Sequence, residues 1–374
     1  MAYPFAQGVP LILVSTRGLD SRVSAVLGNV HHPAYVPNFL TDYPFPMSLL
    51  DRLRNLFYHL YIPWYWGTWS SVRNVQEEVS RHLPDIPPLL DIERNISLYL
   101  VNQNTVSGTG VPYLPSEVDV GGLHCVPGRP LPKTLDSWLK PAGASGVIYF
   151  SLGTVARGIN MPTKHRDLMV KAFAALPQYR FIWKFESTLV GVSDNVLVDK
   201  YLPQQDILAD SRVKLFITHR GCLSKQEAIY HATPLLVLPV FGDQPRNAME
   251  VVKRGLGLSL RWDEVTVDLL VNSIQELINN PRYARNVRKA LELARDQLQS
   301  PLERAVFWTE YVVRHGGAPQ LKSPAAQLSW VEFLMLDVLA FALLLALILC
   351  LALRRSMRAA VAMLKRVEWK TKTD

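Results

Sequence analysis

From Phe333 to Leu353 the chain reads FLMLDVLAFALLLALILCLAL, 21 residues with a single charge, Asp337. An α-helix needs about 20 apolar residues to cross the hydrocarbon core of a bilayer, and this run supplies them. A buried core helix is the competing explanation. Length, scarcity of polar positions and terminal location favour a transmembrane helix, set at residues 331–353. Arg354 and Arg355 follow at once, which assigns the tail to the cytosol and the body to the far side of the membrane. The formal charge of +8 resolves in the same way. The tail holds Arg354, Arg355, Arg358, Lys365, Arg366, Lys370 and Lys372 against Glu368 and Asp374, a net +5, leaving only +3 for the rest. A nearly neutral body lacks the electrostatic footprint of a nucleic-acid binder.

The two ends disagree about topology. Lys370 and Lys372, near the C-terminus, resemble the dilysine retrieval signal of endoplasmic-reticulum membrane proteins; a solvated basic tail is the plain alternative. Met1 to Ser15, MAYPFAQGVPLILVS, has no basic start, and Pro4 and Pro10 interrupt it, so it is not read as a signal peptide. Two readings follow. Either the coding sequence begins upstream of Met1, or the body stays cytosolic and the tail inserts by itself. Asn95-Ile96-Ser97 is a glycosylation sequon that has meaning only under the first. Three cysteines, Cys125, Cys222 and Cys350, are too few to staple 374 residues.

Between Gly146 and Trp262 the pattern alternates. Val147–Leu152, Arg180–Phe185, Val196–Val198, Lys214–Thr218 and Leu235–Val240 read as strands. Thr163–Leu176, Ser224–His231 and Gln244–Lys253 read as helices, and helices dominate from Val267 to Tyr311. This rhythm predicts a parallel sheet covered on both faces. Before it, Pro10–Ser15, Ile96–Asn102 and Val118–Leu123 are strand candidates around a long aromatic helical region, Pro46–Leu83, and Pro127–Pro141 is a proline-rich linker. Three strands are too few for a second sheet of the same kind.

The informative run is Val213–Gln244, VKLFITHRGCLSKQEAIYHATPLLVLPVFGDQ. A strand ends at Thr218, a turn at His219-Arg220-Gly221 follows, and a helix begins at about Cys222. Glycine in such a turn admits close backbone approach, and a helix N-terminus favours anions. His219 and Ser224 offer donors to that anion, and Glu227, one turn on, suits the hydroxyls of a ribose. The site falls at the C-terminal edge of a parallel strand, where open α/β sheets bind ligands. Spacing alone leaves open a nucleoside diphosphate site or an ordinary capped strand–helix joint.

This run resembles the signature of the UDP-glycosyltransferases through Phe216, Thr218, His219, Gly221, Ser224, Glu227, Pro234, Pro239, Asp243 and Gln244. Phe150-Ser151-Leu152-Gly153-Thr154, Tyr201-Leu202-Pro203-Gln204 with Asp206-Ile207-Leu208, and Asn247-Ala248 match in order, as do Pro33–Pro37 and Gly121-Gly122-Leu123-His124. Leu223–Glu227 is nearest the insect type. The resemblance implies an α/β fold of the GT-B type: two Rossmann-like domains, the N-terminal one incomplete, plus a C-terminal transmembrane helix. Its parts are a partial acceptor domain and linker at 1–140, a donor-binding domain at 141–300, a helix and juxtamembrane segment at 301–330, then span and tail.

It further implies transfer of a hexose, glucose or glucuronic acid, from a UDP-sugar to small lipophilic acceptors, with inversion. No metal or cofactor is expected, because the UDP-sugar is a co-substrate. An endoplasmic-reticulum membrane enzyme, single-pass with a cytosolic tail, is expected, forming homo- or hetero-oligomers with related transferases. Tyr201 would stack on uracil where the family usually has Trp, and Gln204 would bond the uracil or ribose. Glu227 would hold the ribose hydroxyls. His219, Ser224 and the backbone around Thr218 and Gly221 would hold the diphosphate, with Ser151 and Thr154 opposite, while Asp243 and Gln244 would read the sugar. Arg220 replaces a glycine: its guanidinium suits phosphate, but its bulk obstructs close backbone approach. Cys222, in place of an apolar residue, reads as a small buried thiol.

The family's base is a His oriented by an Asp, and the expectation is that both would precede Met1, so that transfer by the chain as written is undetectable. Among His31, His32, His59, His82, His124 and His165 no replacement stands out; no carboxylate pairs His31 or His32 at useful spacing, and His59 lies in a stretch that packs or lines an acceptor cleft. The alternative function is a non-catalytic UDP-sugar binder, or a partner of a full-length homologue.

Overall fold

The computed structural model describes residues 5–371 except Arg17, Phe39, Asp42, Pro44, 67–70, 104–109, Ala144, Val155, Arg220 and 241–243, with backbone alone at 71 and 364–371. The chain divides into two compact units, Met1–Ser323 and Pro324–Asp374.

The first unit holds two parallel sheets. Strands β1 (Ile12–Ser15), β2 (Leu98–Val101) and β3 (Glu117–Asp119) form the smaller in that order. Strands β4 (Val147–Ser151), β5 (Arg180–Lys184), β6 (Val196–Asp199), β7 (Val213–Thr218), β8 (Leu235–Val237) and β9 (Gly257–Ser259) form the larger, in the spatial order β6-β5-β4-β7-β8-β9. That is the doubly wound order of a dinucleotide-binding sheet. All strands run parallel, but the order in which they are added reverses between β4 and β7, whose last residues, Ser151 and Thr218, stand side by side.

The sequence of β4, VIYFS, explains why this sheet is covered twice. All five residues are buried. Ile148 and Phe150 enter one core with Met169 and Phe173 of the helix Thr163–Ala174 and with Leu270 and Ile274 of the helix Val267–Asn279. Val147 and Tyr149 face the opposite core, with Ile207, Ile229 and Val251. Alternation along a strand sends neighbours to opposite faces, and both faces here need apolar cover. Ring packing carries much of the first core: Phe150 and Trp183 centroids lie 5.1 Å apart, Phe173 and Phe181 4.2 Å.

The smaller sheet is closed by a helix from the far end of the unit. Pro301–Arg314, started by a Ser300/Glu303 capping box, places Ala305 and Val312 against Leu98 and Leu100 of β2. The helix Ser21–Val26 covers the other face, where Val23 meets Tyr99 and Val101. Pro46–Leu83 is two helices, Leu49–Trp64 and Ser71–His82.

In the second unit a short helix, Trp330–Phe333, is capped by Ser329 and Glu332 and ends before Met335, whose φ is +54°. A long helix then runs from Leu336 to Thr371. The apolar run is therefore entered at Leu336 rather than Phe333, and the basic tail continues the same helix, since Ala, Met, Leu, Lys and Arg are strong helix formers. Leu336–Met363 is long and apolar enough to cross a membrane, with mean hydropathy 2.9 and none of that window buried.

Candidate functional site

The site grows from the two turns that leave β4 and β7. Ser151 ends β4, is buried, and its Oγ accepts the N–H of Gly153 at 3.1 Å. Gly153 has φ +80°, and a Cβ there would stand 2.6 Å from His219 Cε1. A Cβ at Gly221 would come within 3.1 Å of His219 Nε2. The two glycines thus let the β4 and β7 turns close on one imidazole, which is buried between them. Thr154 lies exposed just beyond, and Thr218 is buried at the end of β7.

Gly221 is the N-cap of the helix Cys222–Tyr230 and no side chain caps it. Its first N–H groups, beside the β4 turn, have the chemistry of an anion site. One turn into that helix, Ser224 and Glu227 meet Gln204, the first residue of the helix Gln204–Ala209. Gln204 Nε2 donates to Glu227 Oε2 in a short contact and to Ser224 Oγ at 3.3 Å, while Tyr149 Oη donates to Gln204 Oε1 at 3.3 Å. Burial pushes the Glu227 carboxyl above its ordinary value, opposed by the Gln204 amide.

Eight of the predicted residues therefore gather at the sheet's switch point: Ser151, Thr154, Gln204, Thr218, His219, Gly221, Ser224 and Glu227. Tyr201 stands on the loop before Gln204 and is 82% exposed, so its ring is open to a ligand rather than packed. Gln244 starts the helix Gln244–Lys253, buried, its Oε1 accepting the Val240 N–H at 2.7 Å. Asp243 and Arg220 lie outside the described residues. Cys222 is buried, its Sγ 3.9 Å from Asn102 O.

The histidines sort clearly. His165 stacks on Trp262, His82 sits by Glu78 at the surface, and His32 stacks on Tyr35. His59 holds Val36 O at 3.0 Å within the N-terminal packing. His31 meets a carboxylate only through Asn29. Asn29 Nδ2 lies 3.1 Å from His31 Nε2 and donates to Glu117 Oε2 at 2.5 Å, because β3 brings Glu117 in from far along the chain. Among these histidines His124 alone reaches the Gln204–Ser224–Glu227 cluster: its Nε2 is 3.3 Å from Leu223 O and 3.6 Å from Glu227 Oε1. Sequence reasoning missed this role, although Gly121-Gly122-Leu123-His124 was visible as a motif. Among the described residues no group of three or more His, Cys, Asp or Glu is placed to hold a metal ion.

Comparison with known proteins fits this geometry. A family model described as UDP-glucoronosyl and UDP-glucosyl transferase matches residues 8–372. The chain is similar to UDP-glycosyltransferase UGT5 of Dactylopius coccus, 37% identical over 84% of this chain and 60% of that protein. It is also similar to UDP-glucuronosyltransferase 2B7 of Homo sapiens, 33% identical over 84% of this chain and 59% of that one. Among solved structures, the spinosyn forosaminyltransferase SpnP superposes with a TM-score of 0.56 at 17% identity, over 83% of this chain and 72% of that chain. The calicheamicin glycosyltransferase CalG4 gives 0.54 at 17%, over 83% and 70%. The architecture is that of a GT-B glycosyltransferase. The chain belongs to the UDP-glucuronosyl and UDP-glucosyl transferase family, and it spans about 60% of the length of the curated relatives it matches.

Proposed function

We propose that this chain binds a UDP-sugar at the β4–β7 switch point and serves transfer of its hexose, glucose or glucuronic acid, to small lipophilic acceptors with inversion. The observation that carries this reading is the Gln204–Ser224–Glu227 cluster, in which half-buried Gln204 bonds buried Ser224 and Glu227 beside the uncapped start of the Cys222 helix. A carboxylate accepts both hydroxyls of a ribose, and the helix N-terminus and the β4 turn receive the diphosphate. Tyr201 supplies a stacking face for uracil, and Asp243 and Gln244 read the sugar. No cofactor takes part, since the leaving UDP is the donor's own activating group. Family membership supports the donor class, and the glucosyl and glucuronosyl names of relatives support the two sugars. We place the chain in the endoplasmic-reticulum membrane as a single-pass protein with the 354–374 segment cytosolic, supported by the apolar helix and the arginines after it.

The test is thermal unfolding of the full chain with UDP and with uridine. Anything that binds only the folded state raises its stability by mass action. UDP is expected to raise the melting temperature and uridine to leave it nearly unchanged, because the helix N-terminus has no phosphate to hold. Equal shifts, or none with UDP, reject the reading.

A further inference from the structure

The N-terminal half of the first unit reaches into the donor site through His124, and the geometry there fixes a tautomer. Asn102 Oδ1 accepts the Gly122 N–H at 3.0 Å, so its amide nitrogen is the atom 3.3 Å from His124 Nδ1. An amide N–H can only donate, so Nδ1 carries the lone pair and Nε2 carries the proton. That Nε2–H faces Leu223 O at 3.3 Å and Glu227 Oε1 at 3.6 Å. Burial lowers the His124 value, favouring the neutral ring, against the Leu223 carbonyl, which raises it.

The support around this contact comes from both halves. Gln205, next to Gln204, donates to His124 O at 3.0 Å and accepts the Val126 N–H at 2.8 Å, which ties down the backbone that follows the ring. Gln226 Nε2, on the Glu227 helix, donates to Asn102 O at 2.8 Å. Glu227 thus has Gln204 on one carboxylate oxygen and His124 near the other.

We propose that His124 is a positioning residue for the nucleotide's ribose diol: its Asn102-fixed Nε2–H aligns the free side of the Glu227 carboxylate, so that the ribose reader of the second domain is completed from the first. This inference rests on the nucleotide reading above. It makes ribose recognition depend on contact between the two halves of the fold. A residue that merely packs there changes affinity for any ligand of the site, whereas a residue that aims Glu227 changes discrimination at the ribose.

The experiment measures, by calorimetry on the full chain in detergent, the affinities for UDP and 2′-deoxy-UDP. The unmutated chain is expected to prefer UDP by about tenfold, the scale of one hydrogen bond to a charged group. His124→Phe keeps the ring volume without the N–H and is expected to cut that preference to about threefold or less. His124→Gln returns an N–H at the reach of Nε2 and is expected to recover most of it. Should His124→Phe not fold, His124→Gln against His124→Asn carries the same comparison, because only the longer amide reaches Glu227. A preference unchanged in His124→Phe, with both affinities equally weakened or equally intact, overturns the inference while leaving UDP binding standing. Absence of UDP binding by the unmutated chain overturns the nucleotide reading itself, and this inference with it.

Discussion

Glu227 is held in conflict: its site keeps it dry, and its proposed task needs it charged. Burial raises its proton affinity in the folded chain above that of the unfolded chain. A raised folded value means that ionising the group costs stability. The cost is absent below the unfolded carboxylate value, grows as pH rises through it, and is complete above the folded value. Glu227→Gln removes the charge and keeps an oxygen to accept from Gln204. We expect it to melt higher than the unmutated chain by on the order of 1–3 °C at neutral pH, with the gap closing as pH falls to about 4. The same variant should bind UDP about tenfold more weakly, since a neutral amide is a poorer partner for two hydroxyls than a carboxylate. Melting curves across pH and calorimetry with UDP read the two effects separately. A variant that is less stable at neutral pH contradicts the burial argument. An unchanged UDP affinity contradicts the ribose assignment.

At the scale of elements, the small sheet owes its cover to a helix remote in sequence. Leu98 is fully buried between β2 and the helix Pro301–Arg314. Leu98→Ala is expected to cost about 2–5 kcal/mol, as large-to-small changes in a packed core do. Hydrogen exchange should lose protection at 98–101 and 301–314 together, while β4, β5 and β7 keep theirs, because the larger sheet has its own two cores. Loss spread evenly over both sheets would show that they open as one. Five of the larger sheet's six strands were legible because strands buried on both faces leave short unbroken apolar runs, and Gln244–Lys253 is a helix over the residues expected; the three-residue β9, begun by a glycine, was not read. Leu235–Val240 ends as a strand at Val237, shortly before Pro239. The site was legible where its residues share one helix, as Ser224 and Glu227 do. His124 with Asn102, and His31 with Glu117, were not, since each pair is joined by strand pairing and turns that leave no local period in the sequence.

For the whole molecule the deciding physical quantity is the apolar length of Leu336–Met363 set against the charge that follows Leu353. A helix of that hydropathy with an exposed surface has no favourable place in water, and a bilayer satisfies both its side chains and its internally bonded backbone. The full chain made in cells is therefore expected to stay with membranes through alkaline carbonate extraction, and a variant lacking residues 331–374 to be released. Orientation is a separate question, decided by Arg354, Arg355 and their neighbours. If the tail is cytosolic, an epitope placed after Asp374 is digested by protease added outside sealed microsomes, while the 1–323 unit is protected. Asn95 reports independently. It is exposed in the fold, its Oδ1 accepting from Lys322 at 2.5 Å. A lumenal body gives an endoglycosidase-sensitive mobility shift that Asn95→Gln abolishes. Protection of the tail with digestion of the body reverses the assigned orientation. Digestion of both, with no glycan, places both ends on the cytosolic face and excludes a single crossing by this helix.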